Sequence, residues 1–275
     1  MIRKNAHAGS FYPRFGDRIA AAIESWLVSP PQKEGAEEFL GLIVPHAGYV
    51  YSGACAARGW SLFAQEDFDT LVILHPSHHG LGFDWSIPPF SEYETPLGNI
   101  EQDSEVAEIL QGHDPDPGSS KRLHEMEHSL EVQLPLLKYF FPQAKICPVM
   151  IGRPYPQDMT LLARQLRSAQ NGRKLGVVVS TDLSHFHNSS RAEKMDAMVV
   201  DHILKLDPAG LWQSAVSRKC EACGIGGLLA LLYLVSTAQD AKARVIEYTH
   251  SGEVSGDKQN VVGYLSALIY RGEQP

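Results

Sequence analysis

Short runs of aliphatic and β-branched residues alternate with amphipathic stretches almost from one end of this 275-residue chain to the other. A continuous apolar run bounded by turn signals reads as a strand buried on both faces, the kind found in parallel sheets. Runs of this sort predict strands over residues 39–44, 70–74, 145–151, 175–180, 243–249 and 261–270. Helical periodicity falls between them, over 53–63, 128–140, 157–168, 191–206, 209–218 and 224–237, and Asp103-Ser104 caps a further short helix through Leu110. A polar, proline-containing stretch over 29–38 leads into the first of these strands. Residues 80–101, with Pro88, Pro89, Pro96 and Gly98, are less regular and are expected to form extra strands or a flap. There is no internal repeat, low-complexity tract or linker. Strands alternating with helices imply one α/β domain over 1–275, a mainly parallel central sheet with helices on both faces.

Composition narrows the function classes. Hydrophobic residues make up 44% of the chain, enough to fill a large core. The 24 basic and 32 acidic residues give a formal charge of -8, with no stretch dominated by Lys or Arg, so nucleic acid is not an expected partner. The opening Met1-Ile2-Arg3-Lys4-Asn5-Ala6-His7 lacks the apolar segment of a secretion signal, and no apolar run reaches membrane-spanning length. A cytosolic protein without a membrane partner is the expectation. Four cysteines, Cys55, Cys147, Cys220 and Cys223, are too few and too scattered for a disulfide framework and read as thiols or ligands.

Three of the apolar runs end in histidine: at His46, at His75 with His78 and His79, and at His185 after Asp182. Ligand sites in open α/β sheets lie beyond the carboxyl ends of the strands, so these imidazoles are expected to converge. Histidine is the commonest neutral metal ligand and titrates near neutrality, so such a cluster binds a metal or moves a proton. His75 reads as structural. Adjacent side chains diverge, so one of His78 and His79 is expected at the centre. Asp182 can orient His185 or cap the following turn; the two roles are compatible. His124-Glu125-Met126-Glu127-His128 matches the zinc-peptidase pattern H-E-x-x-H. That match leaves His46, His78 and His185 unexplained and has Pro135 close downstream. His128 and Glu131 are expected to face the pocket from one helical face; the alternative is a solvated edge. Cys220-Glu221-Ala222-Cys223 is a lone C-x-x-C without the second pair of a zinc ribbon. Cys223 precedes an apolar helix, where the dipole favours a thiolate; otherwise it is a small buried hydrophobe.

With these residues the chain resembles the Memo family. The matching stretches are AGSFYP at 8–13, VPHAGYVYSG at 44–53, PSHH at 76–79, TPLG at 95–98, EHSLEVQLP at 127–135, STDLSH at 180–185, CG at 223–224 and SGEVSGD at 251–257. The microbial members are similar to protein B of the AmmeMemoRadiSam system, which implies a functional link to AMMECR-like and radical-SAM proteins. The family is similar in fold to class III extradiol dioxygenases, which hold Fe(II) with two His and a Glu and use a further His as acid and base. Carried over by motif, the resemblance implies His46, His78 and Cys223 as metal ligands, with His185 near the open side. Cys223 stands where the dioxygenases have glutamate. A thiolate softens the site and makes copper plausible beside iron, with zinc ranked below both.

The resulting expectation is a metalloprotein holding Fe(II) or Cu, a dioxygenase-like oxidoreductase in which His185, oriented by Asp182, moves the proton while His128 and Glu131 line the pocket. Its rival is a non-catalytic metal carrier or peptide-binding module. A zinc peptidase built on His124, Glu125 and His128 ranks third.

Overall fold

Strands whose side chains are apolar on both faces must be covered on both faces, and that requirement shapes the molecule. The structure, a computed structural model, describes residues 1–112 and 117–272, the side chains of 117–119 excepted. An eight-stranded sheet runs in the order Ala241–His250, Val261–Arg271, Glu38–Val44, Leu175–Ser180, Thr70–Pro76, Lys145–Ile151, Trp85–Ser86, and the eighth strand, His185–His187, pairs with Val261–Arg271. Its centre is parallel, with Leu42 opposite Val178, Val72 opposite Val177 and Val72 opposite Cys147. The flanks are antiparallel: Val261–Arg271 runs against both Glu38–Val44 and Ala241–His250, and Trp85–Ser86 against Lys145–Ile151. The sheet is therefore mixed, parallel where the apolar runs are densest.

Alternation along each strand sorts the core into two layers. Ile43, Val72, Leu74, Val177 and Val179 pack on one side with Leu228, Leu229 and Leu232 of the helix Ile225–Val235. Leu42, Leu71, Ile73 and Val178 pack on the other with Trp60 and Phe63 of the helix Tyr49–Phe63. Ile225–Val235 is apolar all round because it is buried all round. Cutting any of these fully buried leucines to alanine would cost about 2–5 kcal/mol. No helix among the described residues is long and apolar enough to cross a membrane.

One expectation that holds and one departure from the sequence reading bear on the site. The irregular 80–101 stretch does supply extra strands: Glu92–Tyr93 pairs with Ile2–Arg3 and with Ile100–Glu101 in a small second sheet that ties down the start of the chain. The helix expected over 128–140 is split into His128–Glu131 and Gln133–Phe140, and a separate helix, Pro117–Met126, comes before it. Pro135 sits in the first turn of Gln133–Phe140, where a missing N–H breaks nothing.

Candidate metal centre

Glu38–Val44, Leu175–Ser180 and Thr70–Pro76 are neighbours in the sheet, and their carboxyl ends carry His46, Asp182 and His78 side by side. His128 arrives from outside the sheet. Its backbone path turns at Glu127, which has φ -75 and ψ 126 between two helices and so swings the next residue toward the strand ends. One ligand atom from each of His46, His78 and His128 lies within 4.8 Å of the others. The ring centroids are 5.4 Å apart for His46 and His78, 5.5 Å for His46 and His128, and 4.6 Å for the stacked pair His78 and His128. His46 is buried at the floor, and the His78 side chain is 30% exposed at the rim.

Hydrogen bonds fix which nitrogen His46 and His78 present. The Ser180 hydroxyl donates to the Ser129 carbonyl (2.7 Å), so it accepts from Gln133 Nε2 (3.0 Å) and from His46 Nδ1 (2.9 Å). His46 Nδ1 therefore carries the proton, leaving the Nε2 lone pair for the centre. His78 Nδ1 donates to Glu127 Oε1 at 2.8 Å, which likewise leaves Nε2. Two nitrogens bound to one ion at about 2.1 Å lie about 3–4 Å apart, so small side-chain rotations would close the three imidazoles on a metal. The residues fit such a group. Neutral imidazoles with their far nitrogens anchored to a carboxylate and a hydroxyl are the usual setting of metal-ligating histidines.

Glu127 organises this arrangement. Its carboxylate accepts from His78 Nδ1, the His78 backbone N–H (2.7 Å) and the Ser129 N–H (3.0 Å), and His128 Nδ1 lies 3.3 Å away. Burial would raise its pKa, but His78 and these N–H groups win and hold it well below the usual carboxylate range. The imidazoles respond in opposite directions. Burial, with the charge of His78, pushes His46 down to about 3, and burial with His46 pushes His128 down to about 3. Burial opposes the charge on His78 too, but the bond to Glu127 prevails and its pKa is raised.

Cys223 lies against His46 rather than among the three imidazoles. Its Sγ is 3.3 Å from His46 Nε2 and accepts the Asp182 backbone N–H at 3.1 Å. The expected thiolate is opposed by its surroundings in the metal-free site. Burial and the nearby Asp182 carboxylate push the thiol above its ordinary value, outweighing the helix that starts two residues later at Ile225. A bound metal would be needed to take that proton. Asp182 accepts the His46 N–H at 2.8 Å, and burial raises its pKa. Among the described residues no hydrogen bond joins it to His185; the link between them is electrostatic. His185 is half-buried beside the cluster.

Two further expectations are corrected. Glu131 has no free oxygen for proton chemistry: Arg3 Nη1 (2.8 Å) and the Ala6 N–H (3.0 Å) bind one oxygen, and the His7 N–H (2.7 Å) and Tyr12 hydroxyl (2.8 Å) bind the other. It anchors the start of the chain. The H-E-x-x-H reading fails because the helix ends at Met126, so His124 and His128 are not one turn apart on a single helix. His124 is buried against Ser86 Oγ (3.1 Å) and His75, and Glu125 points out to Lys121. His79 is exposed, His75 is buried on Ser129 Oγ (2.9 Å), and Cys220 packs in the core.

Ser180, Gln133 and Arg3 escaped the sequence reading, which gave Glu127 no role in the site. The available signal for Glu127 was a carboxylate just before a turn, where it caps by accepting the Ser129 N–H. Arg3 gave none; its Nε and Nη2 reach the carbonyls of His124 and Glu127, each at 2.8 Å. A cavity of about 700 Å³ opens elsewhere, between Phe39, Leu175 and Arg271, and none of its described lining residues is a histidine.

Comparison with known proteins places this chain in a family. The family model for Memo-like protein matches residues 3–268. A MEMO1 family protein of Sulfurisphaera tokodaii is 35% identical over 280 residues, covering 97% of this chain and 98% of the relative. One from Methanobrevibacter smithii is 35% identical over 283 residues, covering 98% and 100%. Among solved structures, protein JW3007 of Escherichia coli K12 overlays with a TM-score of 0.47 at 12% identity, covering 86% of this chain and 100% of that one. With a family match running from residue 3 to residue 268 and relatives aligned end to end at about a third identity, this chain belongs to the Memo family.

Proposed function

We propose that the chain holds one redox-active metal ion, iron(II) first and copper second, and uses it to oxidise a small molecule. The observation that carries this reading is the set of three imidazole ligand atoms within 4.8 Å, two of them with the second ring nitrogen anchored. His46 and His78 would be ligands in any arrangement. His128 would supply a third nitrogen, and Cys223 would add a thiolate from the His46 side, the softer donor that draws copper. Bound there, the metal would supply electron transfer and a fixed positive charge. The chain supplies the rest: Asp182 holds the His46 loop by its backbone N–H, Glu127 locks His78, and His185 is the half-exposed group that exchanges a proton with the substrate. A carrier without turnover is the second reading, favoured by the 30% exposure of the His78 side chain, through which a metal could be handed on.

The test is anaerobic reconstitution with Fe(II) or Cu, followed by metal analysis and oxygen uptake. Single alanine changes at His46, His78, His128 and Cys223 should strip most of the metal, whereas His185→Ala should keep it and suppress any oxidation by about 10²–10⁴-fold. Unchanged metal content in the His46 and His78 variants would sink the assignment. Metal bound without oxygen uptake would favour the carrier.

A further inference from the structure

The segment that delivers His185 is built against the interests of the fold. His185–His187 pairs with Val261–Arg271 out of step: His187 lies opposite Val261 and His185 opposite Val262, so two residues face one and Phe186 is the bulged residue. Phe186 takes φ 59, the left-handed region that a bulky side chain rarely adopts, and it is 75% exposed. Asparagine or glycine would hold this bulge with less strain, and a polar side chain would suit the exposure. Strain and an exposed aromatic ring at one residue stabilise nothing, and such residues persist where the site needs them. The ring lies 5.8 Å from that of His185, edge to face, and His185 is near enough for its charge to act on His46 and Asp182. A second ring, Phe11, lies 4.7 Å from His128, so the cluster is flanked by aromatic side chains at both His185 and His128.

We propose that Phe186 is a specificity-determining residue, its ring held beside His185 to receive the apolar, planar part of a ligand whose polar end reaches the imidazole cluster. This rests on the metal reading above. The bulge does two things at once: it turns His185 in and Phe186 out, so that proton transfer and ligand selection sit on adjacent residues.

The experiment uses two probes of the metal-loaded protein, imidazole and 4-phenylimidazole, titrated against the optical bands of the Co(II) form. The wild-type chain should bind 4-phenylimidazole about tenfold more tightly than imidazole, the range expected for burying an aromatic ring against an apolar partner. Phe186→Asn and Phe186→Ala should bring the two probes within about threefold of each other, a remnant smaller than one ring contact provides, with imidazole itself unchanged. In the metal-free protein, Phe186→Asn should melt about 2–4 °C above Phe186→Ala, because asparagine tolerates the left-handed backbone and alanine does not. A wild-type chain without the preference, or variants that retain it, overturn the inference. So does a Phe186→Ala chain that fails to fold, since the ring would then be structural. If Co(II) gives no bands that His46→Ala removes, the metal reading falls and takes this inference with it; if the bands form and imidazole leaves them unmoved, this inference alone is overturned.

Discussion

Replacing Arg3 with methionine would test how the proposed metal centre is held from behind. The Arg3 guanidinium, 1% exposed, binds Glu131 Oε2 and the carbonyls of His124 and Glu127, each at 2.8 Å. Methionine keeps most of the apolar stem but leaves the Glu131 carboxylate buried without a cation and two carbonyls without a donor. Removing one side of a buried ion pair costs about 3–5 kcal/mol. Three donors remain on Glu131, from Ala6, His7 and Tyr12, so about 3 kcal/mol is the expected loss. In a chain of this length each kcal/mol moves Tm by about 2–4 °C, so the variant should melt about 6–12 °C lower. The same change frees the carbonyl that pins Glu127, and metal affinity, measured by competition with a chromophoric chelator, should fall about 10–100-fold. Adding Glu131→Leu should recover part of the Tm without restoring the affinity, since the backbone at Glu127 stays unpinned. A Tm drop below about 2 °C with unchanged affinity would refute this account of Arg3.

The raised pKa of His78 gives a signed pH dependence. Its contribution to stability is present below the unfolded value of about 6.5 and is lost as pH rises through the higher folded value, whereas metal affinity rises with pH by up to about tenfold per unit until that value is passed. Glu127→Gln should move the midpoint of the affinity profile to lower pH, and a profile that stays in place would disprove the pairing. His124→Ala should lower Tm but keep the metal stoichiometry, and Glu125→Gln should change neither; zinc-dependent peptide hydrolysis abolished by Glu125→Gln would restore the peptidase.

Strand ends were the readable part of this chain. The apolar runs ending at His46, at His75 to His79 and before Asp182 are central parallel strands, and their order in the sheet puts His46 and His78 together as the pattern implied. Strands buried on both faces have no polar alternation to confuse them with a surface helix, which is why their bounds were recovered within two residues. What failed was helical periodicity around Glu127. Spacing placed His128 and Glu131 on one face, but spacing is blind to a backbone break, and this break is imposed by groups distant in sequence: Arg3 on the carbonyls, His78 on the carboxylate. The Cys223 thiol shows a related limit. A helix start argues for a thiolate, and only the fold shows the desolvation and the Asp182 carboxylate that oppose one in the metal-free site. The antiparallel flanks left no mark in local pattern at all, because strand direction is decided by the connections.

The position of Leu175–Ser180 between Glu38–Val44 and Thr70–Pro76 has a consequence for the order of events during synthesis. The two strands that carry His46 and His78 are made early yet have no edge in common; the piece that joins them is made a hundred residues after the second. Until it emerges, the two imidazoles have no reason to approach, and Ser180, which sets the His46 tautomer, does not yet exist. On the metal reading proposed above, a nascent chain would thereby be kept from trapping an ion at a half-made site, and metal capture would report that the sheet has closed.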